Sequence, residues 1–574
     1  MPPDPAAEVF AFGRYRLDTG QGVLLRDGER VALVPKEVQL LAELVRDAGR
    51  VVRREQLVEA LWPDVVVEEG NLAKLVFLLR KELGDDLIQT VPKRGYRFSG
   101  QLAPRSPVAE AGPAVVAVLP FVDLSEGKTE GSFCEGVSEE ILNAVSRVPG
   151  AKVVARSSSF KFRGQFGGKF GGDATDAKEI GRRLSASLLV EGSIRKSGGR
   201  LRVAARLVDA DTGHQRWSDV FDRPAEDVFA VQDEIARAVA RSIDPRLPEP
   251  DLRARRALDL ETYELFLKGR YHWNRRPGPV VWEALKCFEK VIERAPGYAE
   301  AWAAIADIYA TLGSWESGVL EPAEAESKAR SAAARALEID PDLGEAHTSL
   351  AYVAMHQGLD LRGGKEGFRH GLRLNPNYAP AHHWYSHCLA AAGSFAESLA
   401  ESRLALALDP MNLLLSVHLA WHHHMAREPS LTLEQAERVV DMDPGYHWGH
   451  YFVGWGAEAL GETRRAVEAM REAVRCSGED SVMVAGLARA HAAAGDRREA
   501  QAALRELERR RKGCALFAYE EALVHLALGD RGRALDLLAR AQTDRSGWMA
   551  YLAVDPRLDP LRGDPSFQAL LPAG

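Results

Sequence analysis

At 574 residues the chain is longer than one hydrophobic core can organise, and roughly two to four domains are expected. A hydrophobic content of 46% with 27% charged residues is that of ordinary folded protein and excludes a disordered chain. A formal charge of −8 excludes a uniformly basic surface, so any affinity for nucleic acid must reside in a local patch.

The N-terminal MPPDPAAEVFAFGRYRLD lacks the apolar stretch of a secretory signal, and no run of about eighteen apolar residues occurs anywhere. The five cysteines are scattered without a C-x-x-C pair, so no structural zinc is expected from them. These features predict a cytoplasmic protein with no membrane partner.

VALVPKEVQLLAELVRDAGRVVRREQLVEALWPD (31–64) holds two amphipathic helices, the first opened near Pro35 and closed by Gly49. Asn71 to Leu83 reads as a third helix, with Asn71 as N-cap and Gly84 as stop. Leu72, Val76, Leu79 and Leu83 fall on one stripe and are expected in the core. Lys74, Phe77 and Lys81 point the other way, with Arg80 on the flank. LIQTVPKRGYRFSG then carries Lys93, Arg94 and Arg97 and no acid. Gly95 gives backbone freedom at a hairpin tip, and Tyr96 and Phe98 flank Arg97 in strand alternation. A helix fits the DNA major groove, and a basic hairpin beside it reaches phosphates or the minor groove.

Four segments in order, LVPKEVQLLAELV, GRVVRREQLVEALWPD, GNLAKLVFLLRKELGDD and IQTVPKRGYRF, make residues 8–101 resemble the OmpR/PhoB-type winged helix. The resemblance implies a recognition helix at 70–83 and a wing at 90–98. The implied DNA-binding set is Asn71, Lys74, Arg80, Lys81, Thr90, Lys93, Arg94, Tyr96 and Arg97. Leu75, Phe77 and Leu78 stand where phosphorelay members often place His or Arg. Guanine readout is left to Asn71, Lys74 and Arg80, with thymine methyl contacts or shape readout carrying more of the specificity. The segment holds 15 basic and 15 acidic residues, so only their distribution can matter. With only about seven residues before it, no aspartate phosphorylated in cis is expected.

A Pro- and Ala-rich stretch at 102–113 reads as a linker. AVVAVLPFVDL (114–124) and LLVEGSIRK (188–196) are β-branched strands. EGVSEEILNAVSRVPG (135–150) and DAKEIGRRLSA (176–186) have helical spacing, giving a small α/β domain over 114–245. It resembles a TolB N-terminal-like module, in which SSFKFRG (158–164) stands as a strand. The glycine-rich 165–176 departs from that module. It lacks the Ser or Thr that a P-loop places after its lysine, and reads as a loop. Ser157 to Ser159 lack the G-x-S-x-G elbow of a nucleophile.

Beyond 262 the sequence repeats. Pro341, Pro376, Pro410 and Pro444, each after Asp or Asn, recur every 34 or 35 residues. Small residues hold two fixed places, as at Ser386, Ala420, Gly454, Ala488 and Ala522. Gly393, Arg427, Gly461, Gly495 and Gly529 hold a third. Small residues let paired helices approach, glycine turns the chain and proline ends the pair. This resembles the tetratricopeptide repeat, about eight units over 262–571 with DPRLDPLRGDPSFQALL as a closing tail. The pairs His383/His387, His418/His422 and His447/His450 share helix faces, but Trp384 replaces the glutamate of H-E-x-x-H. They are expected to pack or line a groove, with no metal, cofactor or catalytic residue.

The expected fold is multidomain: an α+β winged helix, a small α/β domain and an all-α repeat superhelix. The expected function is a DNA-binding transcription regulator, not an enzyme. Its partners are double-stranded DNA, a protein or peptide in the repeat groove, and a second copy to double the phosphate contacts. The alternative is an interaction scaffold whose winged helix binds protein.

Overall fold

The computed structural model describes residues 9–571 apart from 19–22, 27–28, 32, 62–68, 85, 93, 101–113, 129, 149, 164–173, 244–257, 275–279, 313–319, 321, 357–358, 511–517 and 545. The linker expected at 102–113 and most of the glycine-rich insertion therefore lie outside the described residues. The chain divides into two compact units, 1–113 and 114–574.

In the first unit, strands β1 (Val9–Phe12), β2 (Tyr15–Asp18), β3 (Val23–Arg26) and β4 (Glu29–Val31) form an antiparallel sheet in sequence order. Helix α1 (Pro35–Arg46), strand β5 (Val51–Arg53), helix α2 (Arg54–Leu61) and helix α3 (Glu69–Leu83) follow. The hairpin β6 (Ile88–Val91) and β7 (Gly95–Phe98) joins β5 in a three-stranded sheet of order β5-β7-β6. Proline suits the first turn of α1, and the Glu37 carboxylate accepts the Val34 N–H at 2.9 Å, satisfying a donor the helix leaves open. Phe12 meets Phe98 edge to face at 4.9 Å, locking the N-terminal sheet onto the hairpin. Leu72, Val76, Leu79 and Leu83 are all buried, as their spacing predicts.

The second unit begins with β8 (Ala114–Val118), β9 (Val122–Asp123), α4 (Gly131–Val145), β10 (Ala151–Val153), α5 (Arg156–Ser159) and α6 (Ala174–Leu184). Three long strands, β11 (Leu188–Ser197), β12 (Arg200–Asp209) and β13 (Gln215–Pro224), and helix α7 (Val228–Ile243) complete a layered α/β module. The sheet order is β10-β8-β11-β12-β13, with β9 on β11; β8 runs parallel to β10 and β11, β9 runs parallel to β11, and β11, β12 and β13 are antiparallel. The strand expected within 158–164 does not form in its described residues, 158–163. Those residues continue α5 into a 3-10 turn at Phe160–Phe162, because their polar groups bond to the repeats instead of to a strand partner.

Eight helix pairs follow among the described residues. The first four are α8 (Leu260–Trp273) with α9 (Val280–Arg294), α10 (Ala299–Leu312) with α11 (Pro322–Ile339), α12 (Gly344–His356) with α13 (Leu361–Leu374), and α14 (Ala379–Ala391) with α15 (Phe395–Leu408). The others are α16 (Leu413–Met425) with α17 (Pro429–Met442), α18 (His447–Ala459) with α19 (Thr463–Ser477), α20 (Ser481–Ala493) with α21 (Arg497–Arg510), and α22 (Ala518–Ala527) with α23 (Arg531–Thr543). Four helices end one residue before an Asp-Pro or Asn-Pro, as proline's steric conflict with a continuing helix requires. The inter-helix turn uses a left-handed residue, with φ of +74° at Gly393 and +81° at Gly461, and Arg427 adopts +65° at the equivalent place.

One core runs through the α/β module and the first repeats: Val137 and Ile141 of α4 share it with Phe266 and Leu267 of α8. A Cβ on Gly136 would come within 2.6 Å of Leu267, so glycine is what lets α4 lie this close to α8. The tail forms 3-10 turns at Gly547–Tyr551 and Pro556–Leu561, whose Leu558 and Leu561 are fully buried. It does more than close the last pair: Trp548 and Tyr551 reach back to Trp421 of α16. No helix of the described residues is long and apolar enough to cross a membrane.

Candidate nucleic-acid interface

The buried stripe of α3 fixes which side of the helix remains open. Lys74 and Lys81 are exposed on it, and between them Phe77 is 67% exposed. Leu75 and Leu78 are half-buried. The helix begins at Glu69, two residues before Asn71, so Asn71 is an exposed first-turn residue and not the N-cap.

Arg80 has a different place from its neighbours. Its guanidinium donates to the Ile88 carbonyl from Nε at 3.0 Å and Nη2 at 2.7 Å, and to Thr90 Oγ1 at 2.8 Å. Arg80 and Thr90 thus bind α3 to β6, holding helix and hairpin in one register. Charge-assisted bonds of this kind carry more energy than neutral ones.

In the hairpin, Val91 pairs with Gly95 and the Arg94 N–H donates to the Val91 carbonyl at 3.0 Å, leaving the Arg94 side chain exposed. Gly95 has φ +153°, and a Cβ there would lie 2.0 Å from the Val52 carbonyl oxygen, so any side chain would push β7 off β5. Arg97 is half-buried and donates to Gln89 Oε1 across the hairpin at 2.6 Å. Tyr96 is only 5% exposed and packs in the core with Phe98, the inward phase of the strand alternation. Lys93 lies outside the described residues. The residues brought to an open surface are therefore Asn71, Lys74, Lys81, Thr90 and Arg94; Arg80 and Arg97 are half-buried braces, and Thr90 is exposed while also accepting from Arg80.

Residues 28–98 match the family described as transcriptional regulatory protein, C terminal. The N-terminal domain is an OmpR/PhoB-type winged helix. Residues 486–547 match the family described as tetratricopeptide repeat, and the helical pairs are repeats of that type. The chain is 24% identical over 439 residues to the transcriptional regulator HilA of Salmonella typhi, covering 74% of this chain and 75% of HilA. It is 29% identical over 265 residues to a Rhizobium meliloti (strain 1021) protein carrying an adenylate cyclase name, which is 45% of this chain and 43% of that protein. It is 38% identical over 96 residues to the regulatory protein CutR of Streptomyces coelicolor, covering 16% of this chain and 44% of CutR. This chain therefore spans less than half of two of these relatives.

Apart from the winged helix, the second unit encloses a cavity of about 520 Å³. Its wall comes from α4 and α5 of the α/β module, from α8, from the first helices of five successive pairs, α10 to α18, and from Trp548 and Tyr551 of the tail. The module is fastened across this space at two inter-repeat loops. Asn377 Nδ2 donates to the carbonyls of Ser146 at 2.8 Å and Ala151 at 3.1 Å. Asp409 accepts the hydroxyls of Ser157 and Ser158, and Lys161 donates to the Met411 carbonyl.

At the α8 end, Glu139 is 4% exposed, accepts hydrogen bonds from Arg270 and from Asn274 Nδ2 at 2.9 Å, and ion-pairs with Arg156, whose Nε lies 3.1 Å away. Burial opposes its charge, but the Arg270 and Arg156 guanidiniums outweigh this and hold its carboxyl below the ordinary glutamate value. The three serines that lack a nucleophile's setting are thus docking residues at two of their positions. Sequence reasoning gave them no role because their partner lies some 250 residues away.

Proposed function

We propose that the chain is a DNA-binding transcription regulator whose α3 and β6–β7 hairpin contact the duplex, while the cavity between the α/β module and the repeats receives an effector. The observation that carries this reading is the exposure of Lys74 and Lys81 on one face of α3, with Arg94 exposed on the hairpin that Arg80 ties to the same helix. A cavity of about 520 Å³ lies within the range of small-molecule pockets. The α/β module already occupies one side of that space, which favours a small ligand over the protein or peptide expected from repeats alone. An effector acts only by binding one arrangement of the units better than another. Two copies on two half-sites would supply the phosphate contacts that a single weakly basic helix lacks.

The test is a mobility shift of the full chain on bound genomic fragments, selected by pull-down, across a salt series. Lys74→Ala, Lys81→Ala and Arg94→Ala are each expected to weaken binding and flatten the salt slope by about one. Unchanged affinity in all three defeats the reading.

A second reading rests on Phe77, a large apolar side chain 67% exposed at the centre of the helix face offered to DNA. In that reading α3 binds a protein surface. Loss of a crosslinked protein partner on Phe77→Ser, in a chain with no duplex affinity at low salt, would establish it.

A further inference from the structure

Three imidazoles from two adjacent repeats converge in the cavity. His383 Nε2 lies 2.6 Å from His418 Nδ1, His387 Nε2 lies 3.1 Å from His383 Nε2, and His387 Nε2 lies 3.2 Å from His418 Nδ1. His383 and His387 share one face of α14 at i, i+4, and His418 comes from α16. Each of the three nitrogens therefore faces both of the others.

Hydrogen bonding among the three rings cannot satisfy this arrangement. A ring nitrogen presents either an N–H or a lone pair, and each bond needs one of each. With one hydrogen at the centre, two lone pairs face each other. With two, two N–H groups collide; with none, three lone pairs repel. A single Lewis acid at the common point uses all three lone pairs at once. A tetrahedral ion at about 2.0–2.1 Å from its nitrogen ligands holds them about 3.3 Å apart. Two of the three separations, 3.1 and 3.2 Å, are within a few tenths of an ångström of that figure, and the third, 2.6 Å, is about 0.7 Å short of it.

The surroundings agree. His383 and His418 are less than a tenth exposed, so the converging nitrogens are withdrawn from bulk solvent. The remaining ring nitrogen of His387, Nδ1, lies 3.4 Å from the Tyr551 hydroxyl, where an outer partner fixing its tautomer belongs. His422 is 1% exposed, its two ring nitrogens have no hydrogen-bond partner among the described residues, and its ring centroid stands 4.8 Å from that of His387. It is a fourth imidazole beside the triad with unmet bonding capacity.

The geometry points to His383, His387 and His418 as a binding site for a divalent transition-metal ion of the zinc class, with its fourth coordination position turned to the cavity. Three neutral nitrogen donors and no carboxylate select zinc, cobalt, nickel or copper over magnesium and calcium. Three histidines with an open position leave room for water or an anionic ligand from the cavity. The ion would also pin α14 to α16, directly beneath the tail that carries Tyr551. This goes beyond the regulator reading and does not depend on it, because the ion is read out without DNA.

The experiment uses the full chain, stripped with chelator and titrated with cobalt(II) and then zinc(II). One cobalt per chain with the intense visible bands of a tetrahedral site is expected, and zinc should displace it. His387→Gln/His418→Gln should lose the bands and weaken zinc binding by more than about 100-fold. A control, His347→Gln/His370→Gln, removes a separate pair of histidine rings, 4.3 Å apart, and should leave the bands intact. X-ray absorption of the zinc-loaded wild-type chain should count at least three imidazole ligands, a measurement that needs no variant to fold. The proposal is overturned by wild-type cobalt spectra of a purely octahedral site. Bands that survive the cavity variant or vanish in the control, or fewer than three imidazoles at the ion, overturn it equally.

Discussion

Ser158 donates its hydroxyl to Asp409 Oδ1 at 2.5 Å, joining positions 251 residues apart. The same hydroxyl accepts the Met411 N–H at 2.8 Å, and the adjacent Ala155 N–H donates to the Leu408 carbonyl at 2.6 Å. A carboxylate only 3% exposed that accepts two hydroxyls cannot lose them without leaving buried groups unpaired. Asp409→Ala is therefore expected to cost roughly 2–4 kcal/mol and to release the α5 segment first. Hydrogen exchange should rise at residues 153–162 before it rises in α18 to α21. Uniform acceleration across the second unit would contradict the local role.

In the winged helix, the two arginine classes should separate by assay. Arg80 makes three hydrogen bonds inside the domain, so Arg80→Ala should lower the domain's unfolding free energy by about 1–3 kcal/mol and weaken DNA binding through that loss. Arg94 is exposed, so Arg94→Ala should leave denaturation unchanged within about 0.5 kcal/mol while reducing DNA affinity and its salt dependence. Equal stability losses in both variants would refute the division.

What was legible in the sequence follows a period. The stripe Leu72, Val76, Leu79 and Leu83, and the small residues Ser386, Ala420, Ala488 and Ala522, are all buried because helical burial repeats at fixed spacing. What was not legible depends on partners distant in sequence or on backbone. Arg80 looks like a flank cation until the Ile88 carbonyl is placed beneath it. Tyr96 belongs to the core because β7 pairs with β5, which turns its alternation inward. The Asp409-Pro410 pair reads as a helix stop, which it is, but its carboxylate is also the receptor for the α/β module. The histidine triad draws on two repeats, so spacing within one helix shows only two of its members.

Arg427 occupies a turn where Gly393, Gly461, Gly495 and Gly529 sit in the other repeats, and its φ of +65° carries the steric cost of a Cβ. Its guanidinium makes a two-pronged contact with Asp559 of the tail, at 2.6 and 2.9 Å, between side chains nearly half exposed. An exposed pair of this kind offsets about 1 kcal/mol at most. Arg427→Gly should thus match the wild type within about 1 kcal/mol, whereas Arg427→Ala keeps the strain and loses the pair. Thermal melts placing the alanine variant at or above the glycine variant would show that the left-handed turn is not strained.

The last prediction concerns acid. Asp555 is fully buried, which penalises its charge, but Arg557 outweighs the penalty with Nη2 at 2.7 Å, Nε at 3.0 Å and its own backbone N–H at 2.9 Å. Arg557 in turn stacks 3.8 Å from the Trp455 ring centroid, so the pair anchors the tail into the repeats. The Asp555 carboxyl is held down to about 2 from an ordinary value of 3.8. A folded-state pKa below the unfolded one gives stability that is fully present above 3.8 and lost as pH falls through about 2, here about 2 kcal/mol. Glu520 works in the opposite direction. Burial, with Asp555 adding to it, raises its carboxyl against the pull of Arg557, so its protonated form is the one the fold favours. The free energy separating wild type from Asp555→Asn should therefore be large at neutral pH and shrink between about pH 4 and about pH 2. A gap that stays constant through that window would mean that Asp555 does not hold its charge in the folded chain.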